Sequence, residues 1–221
     1  MPFVVGILKP ANDGSGGSHL GGELALAEAR PAAKLVDLAC DIRRREIVLE
    51  RCTLREWRAS DETSLVKHAN NKNVSRNLSD IFPHPYTVDD ARAWLEKHVG
   101  VEPQRDFAIV IDGDAVGGIG LYLGKDIFHR SAEMGYWLGE EYWGRGIVTE
   151  AVRAVTKYAF ETFDLMHIFA GTFERNVGSR RVLEKAGFEL EGRLRMHATK
   201  DGETMNDLVF GIVRPGVGVP E

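Results

Sequence analysis

The stretch Tyr142-Trp143-Gly144-Arg145-Gly146-Ile147-Val148-Thr149-Glu150-Ala151 decides how this chain is read. Two glycines, one residue apart, let a backbone turn tightly and bring its N–H groups close to a ligand. Directly after them Val148, Ala151, Val152, Val155, Ala159 and Phe163 recur at the three- and four-residue spacings of one helical face. The start of such a helix carries unpaired amides and the positive end of the helix dipole. A glycine turn at that point is an anion site, most naturally for a phosphate. A tight strand–helix connection needs the same two glycines for geometry alone, so the neighbouring sequence has to decide. A dinucleotide-binding fingerprint fits poorly, because its third glycine falls at position 149, which is Thr149.

Working outward, Ser131 to Leu138 reads as the strand that feeds the turn. Before it, Phe107–Ile111 and Val116–Leu123 flank Asp112-Gly113-Asp114, a hairpin signal. Farther back, Ile47 to Arg55 reads as one strand, and Ser60-Asp61-Glu62 opens a helix running through Leu65, Val66 and Ala69. Thr87 caps a second helix, with Asp90 at the third helical position as in a capping box. Between the helices, two prolines make Phe82 to Thr87 a rigid loop that carries His84 and Tyr86. Downstream, Met166 to Phe173 is apolar and strand-like. Asn176 then opens a short helix through Leu183, closed by Gly187. Two last strands flank the turn Lys200-Asp201-Gly202-Glu203. The order is strand, two helices, three strands, helix, strand, helix, two strands. That is α+β with a mixed α/β sheet, not the strict alternation of a doubly wound fold.

The regular pattern spans residues 46–214 as one domain. Residues 1–45 form an N-terminal extension: Ala11 to Gly22 is a loose linker, and Glu23 to Arg44 is helix-forming but interrupted by Pro31. Residues 215–221 are a loose tail. The formal net charge of −5 argues against general nucleic-acid or anionic-membrane binding, and leaves room for a local basic patch. No apolar run approaches the ~20 residues of a membrane span. Met1 to Pro10 lacks the basic start and small-residue cleavage site of a signal peptide. The two cysteines, Cys40 and Cys52, and the seven histidines show no metal-ligand spacing, so no metal is expected. Free thiols suit a reducing, cytoplasmic setting.

The glycine turn resembles the cofactor motif of the GCN5-related N-acetyltransferase (GNAT) superfamily, Gln/Arg-x-x-Gly-x-Gly/Ala. Gly144 and Gly146 fall on its two small positions, while Glu141 stands where Gln or Arg is usual. Tyr142 to Ala151, together with Asn176-Val177-Gly178-Ser179 and Val182-Leu183-Glu184-Lys185-Ala186-Gly187-Phe188, resembles the ribosomal-protein N-acetyltransferase branch. Leu190-Glu191-Gly192, Lys200-Asp201-Gly202 and Leu54-Arg55 with Asp61 extend the likeness over about Glu46 to Arg214. The resemblance implies a central twisted, mixed, largely antiparallel sheet of about six to seven strands flanked by helices and splayed at the acetyl-CoA site. It also implies direct transfer of an acetyl group from acetyl-CoA to a primary amine, either a protein N-terminal α-amine or a small amine, by a monomer or homodimer.

The resemblance assigns the residues as follows. The pyrophosphate rests on the amides of Trp143, Gly144, Arg145, Gly146, Ile147, Val148 and Thr149, and the pantetheine chain pairs along Tyr136, Trp137 and Leu138. Arg145 either adds a charge-assisted contact or is a solvated loop arginine. Asn176 contacts pantetheine or merely caps its helix. Ser179 hydrogen-bonds the departing sulfur, and Glu133 receives the amine proton. Alternation puts Glu133 and Trp137 on one face of their strand, with Met134 and Tyr136 on the other, and leaves open whether Glu133 meets the cleft or solvent. His84 and Tyr86 fall where substrate-facing loops lie in this family. A non-catalytic acyl-CoA sensor on the same fold is the alternative function. The net acidity suits a basic acceptor.

Overall fold

Residues 4–5 and 46–216 are described by the structure, a computed structural model. The expected linker, the Pro31-interrupted helix and the last residues of the tail lie outside them. The chain begins with β1 (Val4–Val5), β2 (Ile47–Val48) and β3 (Thr53–Arg55), then the helices α1 (Glu62–Ala69), α2 (Lys72–Ser75) and α3 (Val88–His98). Strands β4 (Asp106–Ile111), β5 (Asp114–Leu123) and β6 (Ser131–Leu138) lead to α4 (Ile147–Thr162). The chain continues through β7 (His167–Phe173), α5 (Val177–Ala186), β8 (Glu189–Lys200) and β9 (Glu203–Val213).

The sheet runs β2-β3-β4-β5-β6-β7-β9-β8, and β1 pairs with β6 off this path. Every pairing is antiparallel except β6 with β7, which run parallel over Ser131–Glu133 and His167–Phe169 only. Beyond Glu133 the two strands part, and this fork splays the sheet as expected. The strand count is higher than expected because β1 joins the sheet and because Ile47 to Arg55 is not one strand. It folds back so that Ile47 pairs with Leu54 and Val48 with Thr53. Glu150, far along the chain on α4, holds that turn by accepting the backbone N–H groups of Glu50 and Arg51 at 2.8 and 3.1 Å.

Local chemistry explains the rest. Thr87 accepts the N–H of Asp90, and Asp90 accepts that of Thr87, so α3 opens on the expected reciprocal box. Asp112–Gly113 and Asp201–Gly202 all have positive φ, as tight two-residue hairpin turns require. α4 buries Ile147, Val148, Ala151, Val152, Val155, Thr156 and Ala159, the stripe read from spacing, while Phe163 caps the helix instead of extending it. Together with α5 it covers one sheet face, packing against Phe107, Ile109, Ile119, Met134 and Leu138. The other face carries α1 to α3 over Trp57, Leu65, Phe82, Tyr86, Ala108 and Trp137. Arg55 and Asp61 are locked beneath that layer, with both guanidinium nitrogens on the carboxylate at 2.7 and 2.8 Å and each side chain 6% exposed. Removing one partner of such a buried pair costs about 3–5 kcal/mol.

The tip of the β8–β9 hairpin is fastened to the α2 region. Lys200 reaches Asp80 at 2.5 Å and Lys72 reaches Asp201 at 2.9 Å. Arg175 spans from Glu203 to the carbonyl of Arg76.

Candidate active site

Gly144 and Gly146 both sit in the left-handed region, at φ +77° and +80°. A side chain at either position would therefore be strained, although Gly144 has open space around it. Gly146 is the N-cap of α4 and offers no side-chain cap, so the first-turn amides keep their hydrogen-bonding capacity. They open into a cleft of about 210 Å³ lined by Leu138 and Tyr142 to Thr149. Trp143 holds the turn by donating its indole N–H to the carbonyl of Leu138 at 2.8 Å.

Three cations that sequence reasoning missed stand at this cleft. Arg181 and Lys185, one turn apart on α5, line it from the far side. Arg51 would lie 3.7 Å from a Cβ on Gly146. The spacing of Arg181 and Lys185 was available as a signal; the approach of Arg51 was not, since it depends on the β2–β3 turn. Arg145 lines the cleft but folds back, donating to the carbonyl of Glu141 at 2.7 Å with its guanidinium over the Tyr142 ring. The departure at Glu141 has a structural partner. Its carboxylate lies 3.2 Å from Nδ1 of the buried His68, whose pKa is lowered chiefly by desolvation.

The fork between β6 and β7 leads from this cleft to Tyr136 and Ser179. The Tyr136 hydroxyl and Ser179 Oγ lie 2.8 Å apart, and both residues are buried. Burial pushes the phenol pKa up, and the Ser179 contact partly offsets it. Asn176 is buried, and its side-chain oxygen accepts the N–H of Ser179 at 3.2 Å. Asn176 does cap α5, while Ser179 is a fully buried bridge between that helix and β6. Backbone groups of Tyr136 and Trp137 on the edge facing the fork lie opposite β1, with Val5 against Tyr136 and Val4 against Trp137.

Glu133 occupies the last position of β6 paired with β7, at the fork. It is half-buried on the α1–α3 face with Gly135 and Trp137, beside Tyr122, whose pKa is raised by burial, then by Asp106 and Glu133. On the same face Tyr86 is buried and lines a cavity of about 190 Å³ with Phe82, Trp94 and Trp137. His84, by contrast, is exposed and lines none of the cavities described for this chain. Among the described residues, no group of His, Cys, Asp or Glu is arranged to hold a metal ion. No described helix is long and apolar enough to cross a membrane.

Comparison with known proteins agrees with this geometry. The acetyltransferase (GNAT) domain family matches residues 51–189. The probable N-acetyltransferase YjcK of Bacillus subtilis (strain 168) is 45% identical over 59% of this chain and 75% of its own. An acetyltransferase structure from Bacillus anthracis superposes with TM-score 0.66 at 24% identity, covering 76% of this chain and 98% of that one. A ribosomal-protein alpha-N-acetyltransferase solved with coenzyme A superposes with TM-score 0.67 at 18% identity, over 76% of this chain and 96% of that one.

Proposed function

This chain belongs to the GNAT acetyltransferase family and is an N-acetyltransferase, and from that premise we propose that it moves an acetyl group from acetyl-CoA directly to a primary amine. The observation that carries the proposal is the uncapped left-handed glycine turn at the start of α4, faced by Arg181 and Lys185 and continuous with the β6–β7 fork. First-turn amides suit a pyrophosphate, and the two α5 cations suit further phosphate charge. From there the pantetheine chain follows the β6 edge along Tyr136 to Leu138, taking the place of the short β1 pairing there. That path carries the sulfur toward the Tyr136–Ser179 hydroxyl pair.

In the reaction the amine nitrogen attacks the thioester carbonyl carbon and the carbon–sulfur bond breaks. The amine proton passes to Glu133 at the fork, and Ser179 hydrogen-bonds the departing thiolate. The acceptor is a protein N-terminal α-amine or a small amine. Calorimetry with acetyl-CoA tests the donor half. Absence of binding at millimolar cofactor refutes it, as does unchanged binding after Gly144→Val with Gly146→Val. Thiol release across peptides and small amines tests the acceptor half and separates transfer from mere acyl-CoA sensing.

A further inference from the structure

On the sheet face opposite α4 and α5, Asp106, Gly120 and Gly135 stand in one row across β4, β5 and β6. Two glycines leave that row a single side chain. A Cβ on Gly120 would fall 2.3 Å from Asp106 Oδ1, so the carboxylate lies directly over the β5 backbone. Phe82, Trp94, Tyr122 and Trp137 wall the space, leaving a cavity of about 20 Å³. A cavity of that size admits one water-sized group.

The chemistry of this small space is specific. The Asp106 side chain is only 15% exposed, and the basic nitrogen facing it is His98 Nε2 at 4.0 Å, beyond hydrogen-bond distance. His98 lies 2.8 Å from the Trp94 carbonyl through Nδ1, and its ring stacks on the Trp94 indole at 3.6 Å. A carbonyl only accepts, so Nδ1 carries the proton. Burial raises the Asp106 pKa, against the pull of His98 and Arg105. A desolvated carboxylate walled by aromatic faces suits a small cation, which satisfies both at once.

Position completes the argument. Gly135 lies just past the β6–β7 fork and is paired with Gly120, so a group in contact with the carboxylate over Gly120 stands one strand spacing, roughly 5 Å, from the fork. We infer that this cavity seats the acceptor's amine as an ammonium held by Asp106, with the rest of the acceptor in the adjoining 190 Å³ cavity that shares Phe82, Trp94 and Trp137. The enzyme therefore selects cationic primary amines. This rests on the acetyl-transfer reading above. Asp106 binds the ammonium; Glu133 takes one of its protons to free the attacking lone pair, and the second goes to the departing thiolate as the amide forms.

The test titrates the protein with n-butylammonium chloride and, separately, with n-butanol, following tryptophan fluorescence; Trp94 and Trp137 line the cavities. The expected result is a saturable change with the ammonium, at least a tenfold weaker response in Asp106→Asn, and no comparable response to the alcohol. Gly120→Ala, whose Cβ displaces the carboxylate, should weaken the amine to a similar degree. Equal affinity in Asp106→Asn and wild type, or equal response to butanol, overturns the inference. Acetyl-CoA calorimetry runs in parallel. Its failure with the wild-type protein refutes the donor assignment, while the amine titration still judges the cavity.

Discussion

The hydroxyl pair between Tyr136 and Ser179 bridges β6 and α5 at the point where the sulfur is expected, and its energetics can be worked from the structure. Ser179→Ala removes the 2.8 Å partner of a phenol that is fully buried, leaving it only the Ser179 carbonyl at 3.5 Å. An unsatisfied buried hydroxyl costs about 1–3 kcal/mol, so ~2 kcal/mol of stability should be lost. At roughly 2–4 °C per kcal/mol for a domain of this size, the melting temperature falls by about 4–8 °C. Tyr136→Phe leaves the buried Ser179 Oγ without this partner, and costs about 1–2 kcal/mol. The double variant removes both polar groups, so it should be little worse than Ser179→Ala alone, with a coupling of about 1 kcal/mol. Urea unfolding of the wild type, the two single variants and the double variant measures that coupling. Single losses that add to the double loss within about 0.5 kcal/mol refute the contact as an energetic unit. Turnover gives a second readout. If the serine acts on sulfur, Ser179→Ala slows acetyl transfer well beyond Tyr136→Phe, and equal rates would contradict that role.

Other outcomes follow from the same site. Arg181→Ala and Lys185→Ala should each raise the KM for acetyl-CoA several-fold with little change in kcat; an unchanged KM in both variants removes these cations from the cofactor site. The backbone of β1 lies opposite the β6 edge assigned to pantetheine, so deleting residues 1–5 should tighten acetyl-CoA binding, by up to about tenfold if two hydrogen bonds of ~0.7 kcal/mol each are released. Unchanged or weaker binding on calorimetry counts against that competition. Burial, and then the Glu150 carboxylate, pushes the Cys52 thiol up to about 12 from its ordinary 9. Because the folded state holds the proton more tightly, this contribution to stability is full below pH 9 and is lost as pH rises toward 12. In a Cys40→Ser background, Cys52 should ignore a disulfide reagent at pH 8 until the protein is unfolded; rapid native labelling contradicts this.

Much of the proposed donor half was legible because it is local. The αL glycines at 144 and 146, the amphipathic stripe of α4, the Thr87–Asp90 box and the Asn176 cap each depend on residues a few positions apart. Features set by long-range register were not. Alternation paired Glu133 with Trp137 but did not say which layer covered them. The fold-back of β2 on β3 depends on Glu150, about a hundred residues away. Asp106 sits at the head of an apolar run and gives no local sign of chemistry. Its meaning comes from glycines on two other strands and an indole on α3. His84 was singled out for its rigid loop, but two prolines order a backbone without aiming a side chain.

The fastening of the β8–β9 tip to the α2 region has a kinetic corollary. Lys72, Asp80, Lys200 and Asp201 knit segments more than a hundred residues apart, with Lys200 almost fully buried at the junction. Amide protons around Ser75 to Phe82 and around Thr199 to Thr204 should then exchange with solvent as one cooperative unit. Release of the hairpin tip would loosen the Phe82 wall of the proposed acceptor cavities without touching the glycine turn. Acceptor access would therefore breathe on its own timescale, uncoupled from the donor cleft across the sheet.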